Sequence, residues 1–100
     1  MTEAELDPVI HSQARLRVVA ALAPFPQGDR IAFTKLQELL GMTAGNLSTH
    51  LRKLEDARYV EMEKSFQGRT PVTHISLTPR GRLAFEDYAA AVTKILGGSS

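Results

Sequence analysis

Residues 33–60 read FTKLQELLGMTAGNLSTHLRKLEDARYV, and the spacing of the apolar residues in this stretch decides how the rest of the chain is read. Phe33, Leu36, Leu39 and Leu40 recur at three- and four-residue intervals, as do Leu47, Leu51 and Leu54, so each set marks one buried face of a short helix. Gly41 is the expected stop of the first helix and Thr43 the expected cap of the second, which places them over about 34–40 and 43–57. The outer face of the second helix carries Ala44, Gly45, Ser48, Thr49 and Arg52 where a solvated helix carries a Glu/Lys mixture. Serine and threonine are mediocre helix formers, so a helix that merely faces water gains nothing from them. Small residues let a backbone approach base edges, the hydroxyls can donate or accept, and Arg52 or Lys53 can reach a phosphate or a guanine. The positive helix N-terminus at Thr43 favours a phosphate nearby. His50 is expected at the edge between the buried and the outer face. The pattern therefore points to double-stranded DNA; the bland alternative is a solvated face that happens to be rich in Ser and Thr.

On the C-terminal side, Tyr59–Lys64 and Val72–Leu77 alternate apolar with polar residues and are predicted to pair as an antiparallel hairpin. Residues 65–71, SFQGRTP, form its turn-rich tip, where Lys64, Gln67 and Arg69 sit around Gly68. An arginine on such a tip is placed to reach DNA backbone or the minor groove, although hairpin tips are commonly polar for no such reason. Phe66 is expected to fold back onto the buried face of the hairpin. Thr78-Pro79 then opens a last helix over about 79–96, with Phe85, Tyr88, Val92 and Ile95 spaced like a helix–helix seam. Leu83, Ala89 and Leu96 supply a second apolar edge. One edge can close the core and leave the other for a partner, while a single broad core face would account for both. Residues 97–100, GGSS, are expected to be a frayed tail.

On the N-terminal side, Asp7-Pro8 is the expected cap and first turn of a helix running from about 8 to 23, with Val18, Val19 and Leu22 inward. Residues 24–29, PFPQGD, stop it, and Arg30–Ala32 reads as a short strand. The expected fold class is α+β, mainly α, in one domain over 1–100.

Composition narrows the function classes. Apolar residues at 43% and charged residues at 23% are those of an ordinary soluble domain, and neither a secretory signal nor a membrane span is evident, so a cytoplasmic location is expected. The absence of cysteine excludes disulfides, thiol chemistry and thiolate metal sites. Net charge is only +1, but residues 44–82 hold seven cations against four acids, which concentrates positive charge mid-chain. His11, His50 and His74 lie on different elements without carboxylates at ligand spacing, so no metal is expected. Ser48 and His50 are two apart on a helix and point away from each other, which removes a nucleophile–base pair. With no phosphate-cradling loop and no paired carboxylates, the chain is not expected to be an enzyme, and no cofactor is expected.

Together these elements resemble the winged helix-turn-helix transcription regulators, especially the MarR/ArsR-like group. The resemblance covers nearly the whole chain and is most specific at residues 47–55 (LSTHLRKLE), at 68–70 (GRT) and at 77–82 (LTPRGR). It implies a three-helix core, a two-stranded β wing and a C-terminal dimerisation helix. It further implies DNA contacts from Thr43, Ala44, Gly45, Asn46, Ser48, Thr49, His50, Arg52 and Lys53, with Lys64, Gln67, Arg69 and Thr70 on the wing. A homodimer built on Val9, Ile10, Phe85, Tyr88, Val92, Ile95 and Leu96 would bind a near-palindromic operator and act as a repressor. Two features depart from the group. The last helix has Glu86 and Asp87 but no histidine for the metal sets of some arsenic-type sensors. The chain also lacks the longer helical ends of the multidrug-type regulators, so a small-molecule effector site is unsupported. The rival reading is a winged helix that contacts another protein and not DNA; an apolar outer face on the second helix would favour it, and Arg69 opposes it.

Overall fold

The computed structural model describes residues 5–97. Its elements run α1 (Gln13–Leu22), β1 (Ile31–Ala32), α2 (Phe33–Leu40), α3 (Ala44–Asp56), β2 (Val60–Gln67), β3 (Thr70–Leu77) and α4 (Pro79–Ile95). The strands form one antiparallel sheet of order β1-β3-β2, so the short β1 lies against the hairpin and ties it to the helices. Val18, Val19 and Leu22 of α1, Leu36 and Leu40 of α2, Leu47, Leu51 and Leu54 of α3, and Val60, Ile75 and Leu77 of the sheet make one core. Leu39, expected inward, is 63% exposed. In an eight-residue helix the stripe through Leu36 and Leu40 suffices, and Leu39 falls beside it.

The start of α1 differs from expectation. Ser12, not Asp7, is its cap. Asp7 instead organises a turn, its carboxylate accepting from Val9 N at 2.8 Å and its carbonyl from His11 N at 2.7 Å. Arg15 donates to the carbonyls of Val9 and Pro8, tying the turn to α1. Asp-Pro suits a turn as well as a helix start, and in this turn Ile10 is completely buried. The hairpin is also longer than expected: pairing continues to Gln67↔Thr70, so the predicted seven-residue tip shrinks to Gly68-Arg69. Gly68 at φ 63° opens this tight turn. Pro71 is tolerated because the pair next to a two-residue turn's closing pair makes no mutual hydrogen bonds; its missing N–H faces the side that the two-residue β1 does not reach.

The stretch LTPRGR is scaffold. The Thr78 hydroxyl accepts from Gly81 N at 2.9 Å and donates to the Arg58 carbonyl at 2.7 Å, joining α4 to the corner after α3. That corner closes with Arg58 at φ 67°, bonded back to Glu55 O, and Tyr59 N bonded to Leu54 O. A Cβ on Gly81 would lie 2.1 Å from the Tyr59 carbonyl oxygen, so glycine is required there. Arg82 donates to the carbonyls of Ala23 and Phe25, both at 2.8 Å, and so takes up acceptors left at the end of α1. The Tyr59 hydroxyl donates to the Asp7 carboxylate; burial, then that bond, pushes the phenol up to about 12. Of the expected tail, residues 98–100 lie outside the described residues.

Candidate nucleic-acid interface

The interface is built on α3. The Thr43 hydroxyl accepts from Asn46 N at 3.1 Å, the cap read from the sequence. Leu47, Leu51 and Leu54 are completely buried, and this fixes the helix about its axis. Ala44, Gly45, Asn46, Ser48, Thr49, Arg52 and Lys53 are consequently exposed, as is Thr43. Nothing in the chain lies within 4 Å of a Cβ built on Gly45, so no internal contact demands glycine there. The Thr49 hydroxyl donates to the Gly45 carbonyl at 3.0 Å. Its only proton is thereby used, and outward it offers oxygen lone pairs and a methyl group, where the sequence suggested a hydroxyl free to donate.

His50 is half-buried at the edge of this surface, as expected. Its Nδ1 lies 3.5 Å from an Arg15 guanidinium nitrogen. A guanidinium only donates, so Nδ1 accepts and Nε2 carries the ring proton of the neutral form. Burial first, then the charges of Arg15 and Lys53, hold the imidazole below its ordinary 6.5, leaving it neutral at pH 7. Beside it is a hollow of about 430 Å³ lined by Ser12, Gln13, Ala14, Arg17, Met42, Asn46 and His50. Here the start of α1 meets the first turns of α3. Arg17 spans further, donating to Leu40 O at the end of α2 at 2.5 Å. Gln13, Arg15 and Arg17 escaped the sequence reading because a contact such as Arg15–His50 spans 35 positions and leaves no local pattern.

The second component is the wing, where Lys64, Gln67, Arg69 and Thr70 are exposed. Arg30 and Glu63 form an ion pair at its base, which matches one wing acid with a cation from the β1 end. Phe66 does not fold back. It is 71% exposed, because the helices that cover the inner hairpin face end before the tip. The mid-chain positive charge also needs revision: Arg82 belongs to the scaffold, its guanidinium being held by carbonyls.

The seam expected for a partner is divided. Leu83, Ile95 and Leu96 are 58%, 57% and 78% exposed, and Phe85 and Val92 are half-buried. Ile10 and Tyr88 are interior, a correction to their expected place in a dimer contact. The turn before α1 draws Ile10 inward, and the Tyr88 hydroxyl bonds His11 Nδ1 at 3.0 Å. Val9 is half-buried against the core and lies in the same turn, not on a helix. Among the described residues no His/Asp/Glu group is placed to hold a metal ion, and no helix is long and apolar enough to cross a membrane.

Comparison with known proteins agrees with this geometry. Residues 14–96 match the family model described as a winged helix DNA-binding domain. An uncharacterised protein of Methanocaldococcus jannaschii is 35% identical over 88 residues, covering 87% of this chain and 91% of its own. Among solved structures, a transcriptional regulator homologue from Pyrococcus horikoshii superposes with a TM-score of 0.80 at 26% identity, over 90% of this chain and 86% of that one. MepR of Staphylococcus aureus, solved as a DNA complex, gives 0.71 at 18% identity over 88% and 69% of the two chains. The zinc-responsive MarR family member ZitR of Lactococcus lactis gives 0.65 at 19% identity over 98% and 64%. The last two share the fold. The capped α3 held by three buried leucines, with a β hairpin beside it, fits the fold of these proteins, and the chain belongs to the winged helix DNA-binding domain family.

Proposed function

We propose that the protein is a sequence-specific, double-stranded-DNA-binding transcription regulator that works as a homodimer and represses by occluding a promoter. The observation that carries the reading is the outer face of α3, small and hydroxylic from Thr43 to Arg52 and wholly exposed, while its opposite face is locked into the core. Ala44, Gly45, Ser48 and Thr49 enter the major groove, with Gly45 letting the backbone approach the base edges. Thr49, whose oxygen accepts, favours the exocyclic amines of adenine or cytosine, and its methyl suits thymine. Asn46, Arg52, Lys53 and the Nε2–H of His50 contact phosphates, joined by Gln13 and Arg17 from the hollow at the start of α1. Lys64, Gln67, Arg69 and Thr70 follow the backbone into the adjacent minor groove. The exposed Leu83, Ile95 and Leu96 of α4, with Phe85 and Val92, meet a second copy, so the operator is near-palindromic.

The test is anisotropy titration against DNA fragments selected from genomic sequence, repeated over a range of salt. Arg69→Ala is expected to weaken binding to every sequence and flatten the salt dependence by about one unit of slope. Thr49→Ala should change which base is preferred, at a cost of about 1–3 kcal/mol at one position. No salt-sensitive binding at micromolar protein would sink the DNA reading, and a monomer mass by light scattering would remove the dimer.

A further inference from the structure

Phe66 is the only exposed large aromatic among the described residues, and at 71% it is uncovered on the element proposed to touch DNA. Its position is well defined. Val60↔Leu77, Met62↔Ile75, Lys64↔Thr73 and Phe66↔Pro71 are successive pairs on one face of the hairpin. At the base this face is core, since Val60, Ile75 and Leu77 are buried. Phe66 lies four residues beyond Met62, roughly 13 Å further along the strand. There the same face leaves the domain and ends in an apolar pair, Phe66 against Pro71, with Lys64 behind it and Arg69 at the turn ahead. Closing-turn geometry makes Phe66↔Pro71 a close, non-hydrogen-bonded pair, so proline stiffens the strand opposite the ring. Strand propensity alone does not account for the residue, because threonine or valine would satisfy it without exposing a ring to water.

We propose that Phe66, backed by Pro71, is an apolar wedge that the wing presses into the minor groove beside Arg69, loosening the base step it meets. The inference rests on the DNA-binding reading above and adds to it a contact that is neither ionic nor hydrogen-bonded. The occupant is argued from charge and continuity: the ring is flanked by Lys64 and Arg69, which suit phosphate on either side, and it lies on the same hairpin end as the proposed wing contacts. Inserting an apolar side chain between base steps unstacks them at some cost, offset by the surface removed from water.

The experiment uses the full chain and a DNA fragment selected with the wild-type protein, carrying 2-aminopurine at successive steps under the wing. Phe66→Ala should raise Kd about tenfold, the low end for removing an aromatic from a base contact. The loss should be the same at every salt concentration, with unchanged slope, because no counterion is involved. It should also abolish the rise in 2-aminopurine fluorescence at one step, while Phe66→Leu retains most of both. Arg69→Ala should do the reverse and change the slope. Phe66→Ala with wild-type Kd and wild-type fluorescence overturns the wedge and leaves the DNA reading standing. A Phe66→Ala protein that loses its dimer mass would place the ring in a protein contact, which also overturns it. Wild-type protein without salt-sensitive binding defeats the DNA reading itself, and the wedge with it. Circular dichroism should be unchanged by the substitution, since the side chain is in solvent.

Discussion

Alanine substituted for Gly81 and for Gly45 should move stability in opposite directions, although both glycines lie in the first turns of helices. Intrinsic propensity favours alanine by about 0.8–1.0 kcal/mol in a helix interior. At Gly45 nothing in the chain lies within 4 Å of the new methyl, so Gly45→Ala should stabilise by about 0.5–1 kcal/mol. At Gly81 the methyl would lie 2.1 Å from Tyr59 O and 2.8 Å from Leu77 Cδ1. The leucine can turn aside, but the carbonyl is backbone, and it accepts from Thr78 N at 3.0 Å and takes only the longer arm, at 3.1 Å, of the hydroxyl proton that Thr78 shares with Arg58 O. Relieving the overlap needs a displacement of about an ångström, which disrupts the Thr78 N bond at ~1 kcal/mol and adds overpacking strain of about 1–3 kcal/mol. After the propensity gain, the net loss is about 1–3 kcal/mol. In a domain of this size that lowers Tm by roughly 4–24 °C. Urea and thermal unfolding followed by circular dichroism give both numbers. A Gly81→Ala protein as stable as wild type would refute the tight approach of α4 to the corner after α3. Gly45→Ala carries a second readout. If α3 enters the groove as proposed, the more stable protein should bind DNA less well, because the methyl stands where the bases approach.

Two further outcomes are expected. Folded His50 has its pKa held below 6.5, so the unfolded chain takes up the proton first as pH falls. Its contribution is therefore intact above 6.5 and is lost as pH drops from 6.5 toward the folded value. DNA binding should show the opposite trend, strengthening over the same window as phosphate favours the imidazolium, and His50→Gln should flatten both profiles when unfolding and anisotropy are measured against pH. Arg82→Ala should destabilise by about 2–3 kcal/mol, since it leaves the carbonyls of Ala23 and Phe25 without their charged donor. The salt slope of DNA binding should not change. A reduced slope in that titration would return Arg82 to the DNA footprint.

The helices, their inner faces and the existence of the hairpin are legible in the sequence, because each depends on neighbours along the chain. Leucines at i, i+3 and i+4, the Thr43 cap, the Gly41 stop and Thr78-Pro79 act over a turn or less, and α2, α3 and α4 form where those signals place them. The outward face of α3 follows from its leucines for the same reason. Where the sequence carried two local meanings, distant partners chose between them. Asp7-Pro8 could cap a helix or make a turn, and Arg15 together with the burial of Ile10 made it a turn. Tyr88 could face a second copy or its own core, and His11, 77 positions away, holds it inside. Phe66 could lie on the hairpin or stand in solvent, and the reach of the strands beyond the helices decided it. Arginine was the least readable residue. The same side chain is free on the wing at Arg69, a clamp on α1 at Arg82 and a neighbour that sets the charge of His50 at Arg15. Its long, charged reach finds carbonyls and rings across the fold, and no pattern in the chain records which of them it will meet.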